Sequence, residues 1–184
     1  MLLGVTRTLQ QQLLDVAPEL GSWVEVANLQ SDDQTAAPKE KVILFLYAVR
    51  ENPYLRNLPP EQLADGRYRQ PPLALTLGYL VTYNSPKATE GQPRLALVLR
   101  AFHTKPRLGA ADLDSSIAGQ VESLSVRLRS MAPEELNQVW TALNVGLRPS
   151  LFYDVDVALI EPFETAPLTE PVRERELRYQ QAGT

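Results

Sequence analysis

The segment from Leu73 to Tyr83, LALTLGYLVTY, alternates without a break. Leu73, Leu75, Leu77, Tyr79, Val81 and Tyr83 fall on one side of an extended chain, and Ala74, Thr76, Gly78, Leu80 and Thr82 on the other. A helix would scatter the six large residues around its circumference, so only a strand gives them a common face. The bulky side demands a core. The small side admits something that approaches closely, and a packed helix is favoured there over a neighbouring subunit. A sheet with helices packed against it follows, and an all-helical bundle is excluded.

Other segments supply the rest of that sheet. KVILFLYAVREN holds the longest apolar run, Val42 to Val49, rich in β-branched and aromatic residues and suited to a central strand covered on both faces. Ser150 to Ile160 (SLFYDVDVALI) turns Leu151, Tyr153, Val155, Val157 and Leu159 one way. Gln120 to Arg129 sets Leu124, Val126 and Leu128 against Ser125, Arg127 and Arg129, a half-exposed strand with a basic outer face. Trp23 to Leu29 alternates in part and reads as a short strand. Helical periodicity covers Leu3 to Val16, stopped by Pro18 and Gly21. It covers Pro93 to Thr104, with Leu95, Val98, Leu99 and Phe102 as the buried stripe and Pro93 in the first turn. A third helix opens at Ala132-Pro133-Glu134-Glu135 and buries Leu136, Val139, Trp140 and Leu143. The expected fold is α+β: a mixed sheet of about five strands flanked by three helices.

Ser31 to Lys39, Asn84 to Gly91 and Pro106 to Ser116 read as loops or turns. The largest interruption is Asn52 to Pro72, a loop of about twenty residues punctuated by prolines and by an Asp65-Gly66 turn signal; loops this long in compact domains are usually functional. Beyond Pro162 the composition shifts to a proline-interrupted, charged stretch. The expected division is a domain over residues 1–162 and a charged tail over 163–184, within which Glu174 and Arg178 are spaced for an i,i+4 pair.

Catalytic equipment is sparse. With no cysteine, thiol nucleophiles, disulfides and cysteine-ligated metals are impossible. The single histidine, His103, stands near a helix end, where it suits the helix dipole and has no evident partner. No glycine-rich phosphate loop and no nucleophile-elbow motif occur. Asp154 and Asp156, two apart on a strand, share one face. A metal-assisted hydrolase would use them as a pair, but alternating acids on an outward strand face more often serve solubility or edge protection. No catalytic residue, metal ligand or cofactor site is expected. A net charge of −4 gives no basic footprint for nucleic acid. The N-terminal MLLGVTRTLQQQLLDV lacks a basic region followed by a long apolar core, and an eight-residue apolar run is too short to cross a bilayer as a helix. A soluble protein without membrane insertion is expected.

Arginines and tyrosines, the residues that concentrate binding energy at protein interfaces, are placed where contacts form. Arg50, Tyr54, Arg56 and Tyr68 flank or occupy the long loop. Arg127 and Arg129 lie side by side on a strand face, suited to an acidic partner surface. Arg148 precedes the last strand, which carries Tyr153, and Arg173, Arg175 and Tyr179 belong to the tail. These are the candidate interface residues. Leu75 or Leu77 changed to Asp is expected to unfold the domain, whereas changes at Arg148 or Tyr153 are expected to act selectively on assembly.

Three segments, in order, resemble one family. VILFLYAVRENPYLRN is an apolar strand closing on Leu-Tyr-x-Val-Arg-Glu-Asn. PPLALTLGYLVTY is a double proline opening a strand. ELNQVWTALNVGLRPSLFYDV is a helix followed by Arg-Pro-Ser and a Tyr-x-Val strand. Over residues 3–162 the chain resembles the N-terminal domain of the cap, or tube-terminator, proteins of phage-tail-like extracellular contractile injection systems of the antifeeding-prophage type. The resemblance implies a tail-terminator-like fold and a homohexameric ring at the distal end of an inner tube. Such a ring stops tube growth and ties the tube protein to the last layer of sheath protein, with no cofactor and no catalysis. It implies assembly in the cytoplasm as part of a particle that is then released or held at the envelope. The alternative is a monomeric adaptor that binds an extended peptide along an exposed sheet edge.

Overall fold

The alternating segment becomes an inner strand of a six-stranded sheet. The computed structural model describes residues 1–29, 41–54, 59, 61–62, 68–69, 73–85 and 87–160. In chain order the elements are α1 (Leu2–Val16), β1 (Val24–Val26), β2 (Lys41–Glu51), β3 (Glu61–Gln62), β4 (Tyr68–Arg69), β5 (Leu73–Asn84), α2 (Ala88–Thr104), β6 (Arg107–Leu108), β7 (Leu124–Arg129), α3 (Pro133–Leu143) and β8 (Ser150–Ile160). The main sheet runs β1-β2-β5-β8-β7-β6, and β3 and β4 form a separate two-stranded sheet. β1 is parallel to β2 and every other pairing is antiparallel, so the sheet is mixed.

Two cores follow from the alternation. On one face α1 and α2 bring Val5, Leu9, Leu13, Leu95, Val98 and Phe102 onto Leu77, Tyr79 and Val81 of β5 and Tyr153, Val155 and Val157 of β8. Leu77 and Tyr79 are fully buried there. Burying a leucine completely contributes roughly 1.5–3 kcal/mol. The Tyr79 hydroxyl meets Thr6 Oγ1 at 2.8 Å, which satisfies the one polar atom that so large a side chain carries inward. Burial pushes its pKa up to about 12. On the other face α3 seats Trp140 on Leu80 and Phe152, with Ile43, Phe45 and Tyr47 around it. A helix does cover part of the small face of β5. Over Gly78, however, the close approach is made by Tyr47: a Cβ at Gly78 would stand 2.9 Å from the Tyr47 ring and 3.1 Å from the Ala48 Cβ.

Several boundaries differ from the sequence reading. The sheet has six strands rather than about five, because Arg107–Leu108, within a stretch read as loop, pairs with Ser125 and Leu124. Tyr68–Arg69 pairs with Glu61–Gln62, so the long loop contains a small hairpin; Arg56 and the Asp65-Gly66 turn lie outside the described residues. α2 starts at Ala88, within a stretch read as turn, which puts Pro93 inside the helix rather than in its first turn. The lost Pro93 N–H costs a bond to the Thr89 carbonyl. Tertiary packing offsets it: Gly91 lies so close to Tyr83 that a Cβ there would be 2.0 Å from the ring. Strand β1 is only three residues long because Pro18–Trp23 forms 3-10 turns. β7 begins at Leu124 rather than Gln120, and Leu128 is 58% exposed instead of joining the core. β2 is covered on both faces only over its first half; Val49 is 48% exposed. The polar stretch 31–39 and the tail 163–184 lie outside the described residues.

Candidate assembly surface

Strand register, rather than sequence proximity, builds the most distinctive surface of the molecule. β8 pairs with β5 so that Gly78 faces Asp154 and Thr76 faces Asp156. β7 pairs with β8 so that Arg127 faces Asp154. β2 pairs with β5 so that Arg50 faces Thr76. All these side chains share the α3 side of the sheet, on the part that α3 leaves open.

There the charges interlock across four strands. Arg50 Nη2 donates to Asp154 Oδ1 at 2.5 Å, and Arg129 Nη1 stands 3.8 Å from the same oxygen. Arg129 also reaches Glu135 of α3 at 3.5 Å, which joins the network to the helix. Arg127 Nη2 donates to Asp156 Oδ2 at 2.6 Å. The other oxygen of Asp156 accepts from Thr76 Oγ1 at 2.7 Å and from Asn52 Nδ2 at 3.3 Å. Asn52 is itself fixed, because its Oδ1 accepts from the Tyr54 backbone N–H at 3.0 Å. The Tyr47 hydroxyl borders the network, buried and without a hydrogen-bond partner among the described residues. Burial raises its pKa, and the nearby Arg129 and Arg50 oppose that rise.

This geometry corrects the reading of the two aspartates. β8 is an inner strand, so Asp154 and Asp156 protect no edge. Nor do they form a free acid pair, since Arg50 and Arg129 stand within ion-pair distance of Asp154 and Arg127 within that of Asp156, and these guanidiniums would repel a cation. Among the described residues no group of three or more His, Asp and Glu side chains could hold a metal ion. What the arrangement presents is a half-exposed lattice of paired charge on the α3 side of the sheet.

The candidate interface residues divide accordingly. Arg50, Arg127 and Arg129 are brought together. Tyr54 projects just past the end of β2 and is 88% exposed. Tyr68 lies in β4 opposite Gln62. Arg148 sits elsewhere, donating to Asn84 Oδ1 at 3.1 Å at the end of β5. Tyr153 is on the opposite face, 3% exposed and edge-on to Phe102 with ring centroids 4.8 Å apart. The expectation of a selective interface role for Tyr153 does not fit this burial, since its ring is part of the core. Arg56, Arg173, Arg175 and Tyr179 lie outside the described residues. Thr76 and Asn52 escaped the sequence reading; the available signal was a threonine on the small face of β5 and an asparagine just before Pro53.

No helix among the described residues is long and apolar enough to cross a membrane. Among curated proteins none matches the chain. Solved structures share its fold, two of them from contractile injection systems. One is the sheath/tube terminator of PVC, an extracellular contractile injection system, in the extended state. It aligns with a TM-score of 0.65 at 18% identity, covering 100% of this chain and 64% of that one. The other is the tube-terminating cap of the anti-feeding prophage, with a TM-score of 0.63 at 20% identity, covering 95% of this chain and 60% of that one. The chain thus spans less than two thirds of either structure. The model of the Pvc16 N-terminal domain matches residues 4–174, nearly the whole chain, and the chain therefore belongs to the Pvc16 N-terminal domain family.

Proposed function

We propose that the chain is a structural cap of a contractile injection system, ending the inner tube and joining it to the last sheath layer. The observation that carries this reading is the family match over residues 4–174. A fold held in common with a sheath/tube terminator and a tube-terminating cap supports it. In this reading the chain acts as a homohexameric ring, touches tube and sheath proteins, and performs no catalysis. It assembles inside the producing cell and leaves or stays with the particle. The arginine lattice on the α3 side, with Tyr54 beside it, is the surface proposed to meet a partner. Exposed Arg50 and Arg127 supply the contacts, while Asp154 and Asp156 hold them in place.

Electron microscopy of particles made with and without the gene tests the proposal. Tubes of long or variable length, or tubes without sheath, are expected in its absence. Tubes of unchanged length would sink the reading. Arg50→Ala combined with Arg127→Ala tests the surface: tubes capped normally by this variant would remove the lattice from the interface.

One observation favours the adaptor as a second reading. Among the described residues, β1 pairs only with Val42 to Leu44 on the outer side of β2, and Phe45 to Arg50 pair with no described strand on that side. A stable monomer that binds a sheath-derived peptide through this edge, without any effect on tube length, would favour the adaptor.

A further inference from the structure

Helix α3 is fastened far more lightly than α1. Side-chain hydrogen bonds tie α1 to the rest of the fold at four points: Thr6 to the Tyr79 hydroxyl, Thr8 to the Asp114 N–H, Gln10 to the Val24 carbonyl and Gln12 to the Lys105 carbonyl. Among the described residues a single one reaches α3, from Arg129 Nη2 to Glu135 Oε1 at 3.5 Å, and both side chains are partly in solvent. A pair so long and so exposed holds little. Trp140 is the one buried residue of the eleven in α3; Leu136, Val139 and Leu143 are half-buried and the other seven are exposed. The cluster under the helix also carries unmet polar atoms. Trp140 Nε1 and the Tyr47 hydroxyl are buried there without a hydrogen-bond partner among the described residues, and water would meet both if α3 moved away. Both flanks are open. Ser130 and Ala132 are exposed before the helix. After it, Asn144 takes a left-handed turn at φ 55°, nothing stands within 4 Å of the Cβ position of Gly146, and Leu147 is 66% exposed.

We infer that α3 is a hinged cover. It lifts from the sheet on segments 130–132 and 144–147, with the rest of the fold intact, and uncovers an apolar patch of Ile43, Phe45, Leu80 and Phe152. Elements with few buried apolar contacts open at a lower free energy than the core. Here α3 has one buried anchor, where α1 sets Val5, Leu9 and Leu13 in the core. Away from the sheet a helix of eleven residues is marginal in water, so lifting and loss of helix are a single event. Lifting also parts Glu135 from Arg129, which links the cover to the lattice. Closed, α3 keeps the patch from water and from other chains. Open, it leaves an apolar surface directly beside the half-exposed charges, since Phe152 is the register partner of Arg129. The inference stands apart from the cap reading, and failure of either leaves the other intact.

The cysteine-free sequence allows labelling of single thiols in the folded full chain. Leu80 and Val81 are neighbours on β5 and both are fully buried, Leu80 under α3 and Val81 under α1 and α2. Leu80→Cys is expected to react with an aromatic disulfide reagent about a hundredfold or more faster than Val81→Cys, each rate being scaled by that variant's own unfolding constant. The Leu80→Cys rate should change little at low urea, because lifting one helix exposes little surface. Equal scaled rates would overturn the inference, and so would a Leu80→Cys rate that rises with urea as steeply as global unfolding. Hydrogen exchange on the unsubstituted chain gives a second measurement, free of any effect of the cysteines on packing. Amides of residues 137–143 should exchange about a hundredfold or more faster than those of residues 77–81, after correction for intrinsic rates. Exchange of both segments at one corrected rate also overturns it.

Discussion

Asp156 and Arg127 form an ion pair at 2.6 Å, yet their removal is predicted to differ severalfold. Arg127 keeps 59% of its side chain in solvent. An exposed pair is worth about 0–1 kcal/mol, so Arg127→Ala should cost no more than that and less at high salt, where exposed charges are screened. Asp156 serves a second purpose. Its Oδ1 accepts from Thr76 and Asn52, which are 8% and 6% exposed. Asp156→Ala leaves two buried donors without their acceptor, at roughly 1–3 kcal/mol for a good bond. The 3.3 Å contact from Asn52 belongs at the low end, so the sum is about 2–4 kcal/mol. Asp156→Asn keeps an oxygen for Thr76 and should cost about 1 kcal/mol. For a chain of this size each kcal/mol shifts Tm by about 2–4 °C. Thermal melts at low and high salt should therefore rank Asp156→Ala well below Asp156→Asn, and Asp156→Asn at or just below Arg127→Ala. Equal losses from Arg127→Ala and Asp156→Ala would refute the argument, because the ion pair rather than the buried donors would then be what Asp156 provides.

Leu77→Asp should abolish cooperative unfolding, since it puts a carboxylate at a fully buried position between α1 and α2; a normal near-UV circular dichroism melt would contradict this. Tyr153→Ala should lose about 3–5 kcal/mol of stability, as large core truncations do, and a full-stability variant by urea unfolding would put Tyr153 back among surface residues. The Asp114 carboxyl accepts from both the Ser116 hydroxyl and its backbone N–H, and these bonds hold its pKa below the ordinary 3.8. A depressed folded-state pKa adds stability that is complete above the unfolded value and is lost as pH falls through the folded one. Ser116→Ala should raise the Asp114 pKa in a carbon-13 NMR titration, and an unmoved titration would show that the backbone bond alone sets it.

What the sequence disclosed depended on how local the determining contact was. Strand β8 runs over Ser150–Ile160, the span its alternation predicts, because large side chains at period two leave no other way to bury them. The N-terminal turn of α2 was illegible because the contact that decides it, Gly91 on the ring of Tyr83, belongs to tertiary packing. The arginine lattice was illegible for a stronger reason. Arg50 and Asp154 lie 104 residues apart and meet only through the strand order β2-β5-β8.

Even strand order would not have sufficed, because β2 changes phase. Val42 and Leu44 point to the α1 and α2 side; strict alternation would carry Arg50 to that side too, into the apolar core. The register shifts between Leu46 and Ala48, so that Leu46 faces Tyr79 while Ala48 faces Gly78. One extra residue reverses every later side chain, and Arg50 thereby reaches the α3 side beside Asp154. The extra residue is Tyr47, whose ring lies over Gly78 and packs edge-on against Phe152 with centroids 5.7 Å apart. A side chain at position 78 would obstruct that ring, so the glycine and the bulge require each other. Glycine inside a strand commonly marks a bulge or a close approach. The small residue in the most regular strand of the sequence thus bears on the placement of an arginine two strand positions beyond the bulge, and through it on whether the charged lattice forms at all.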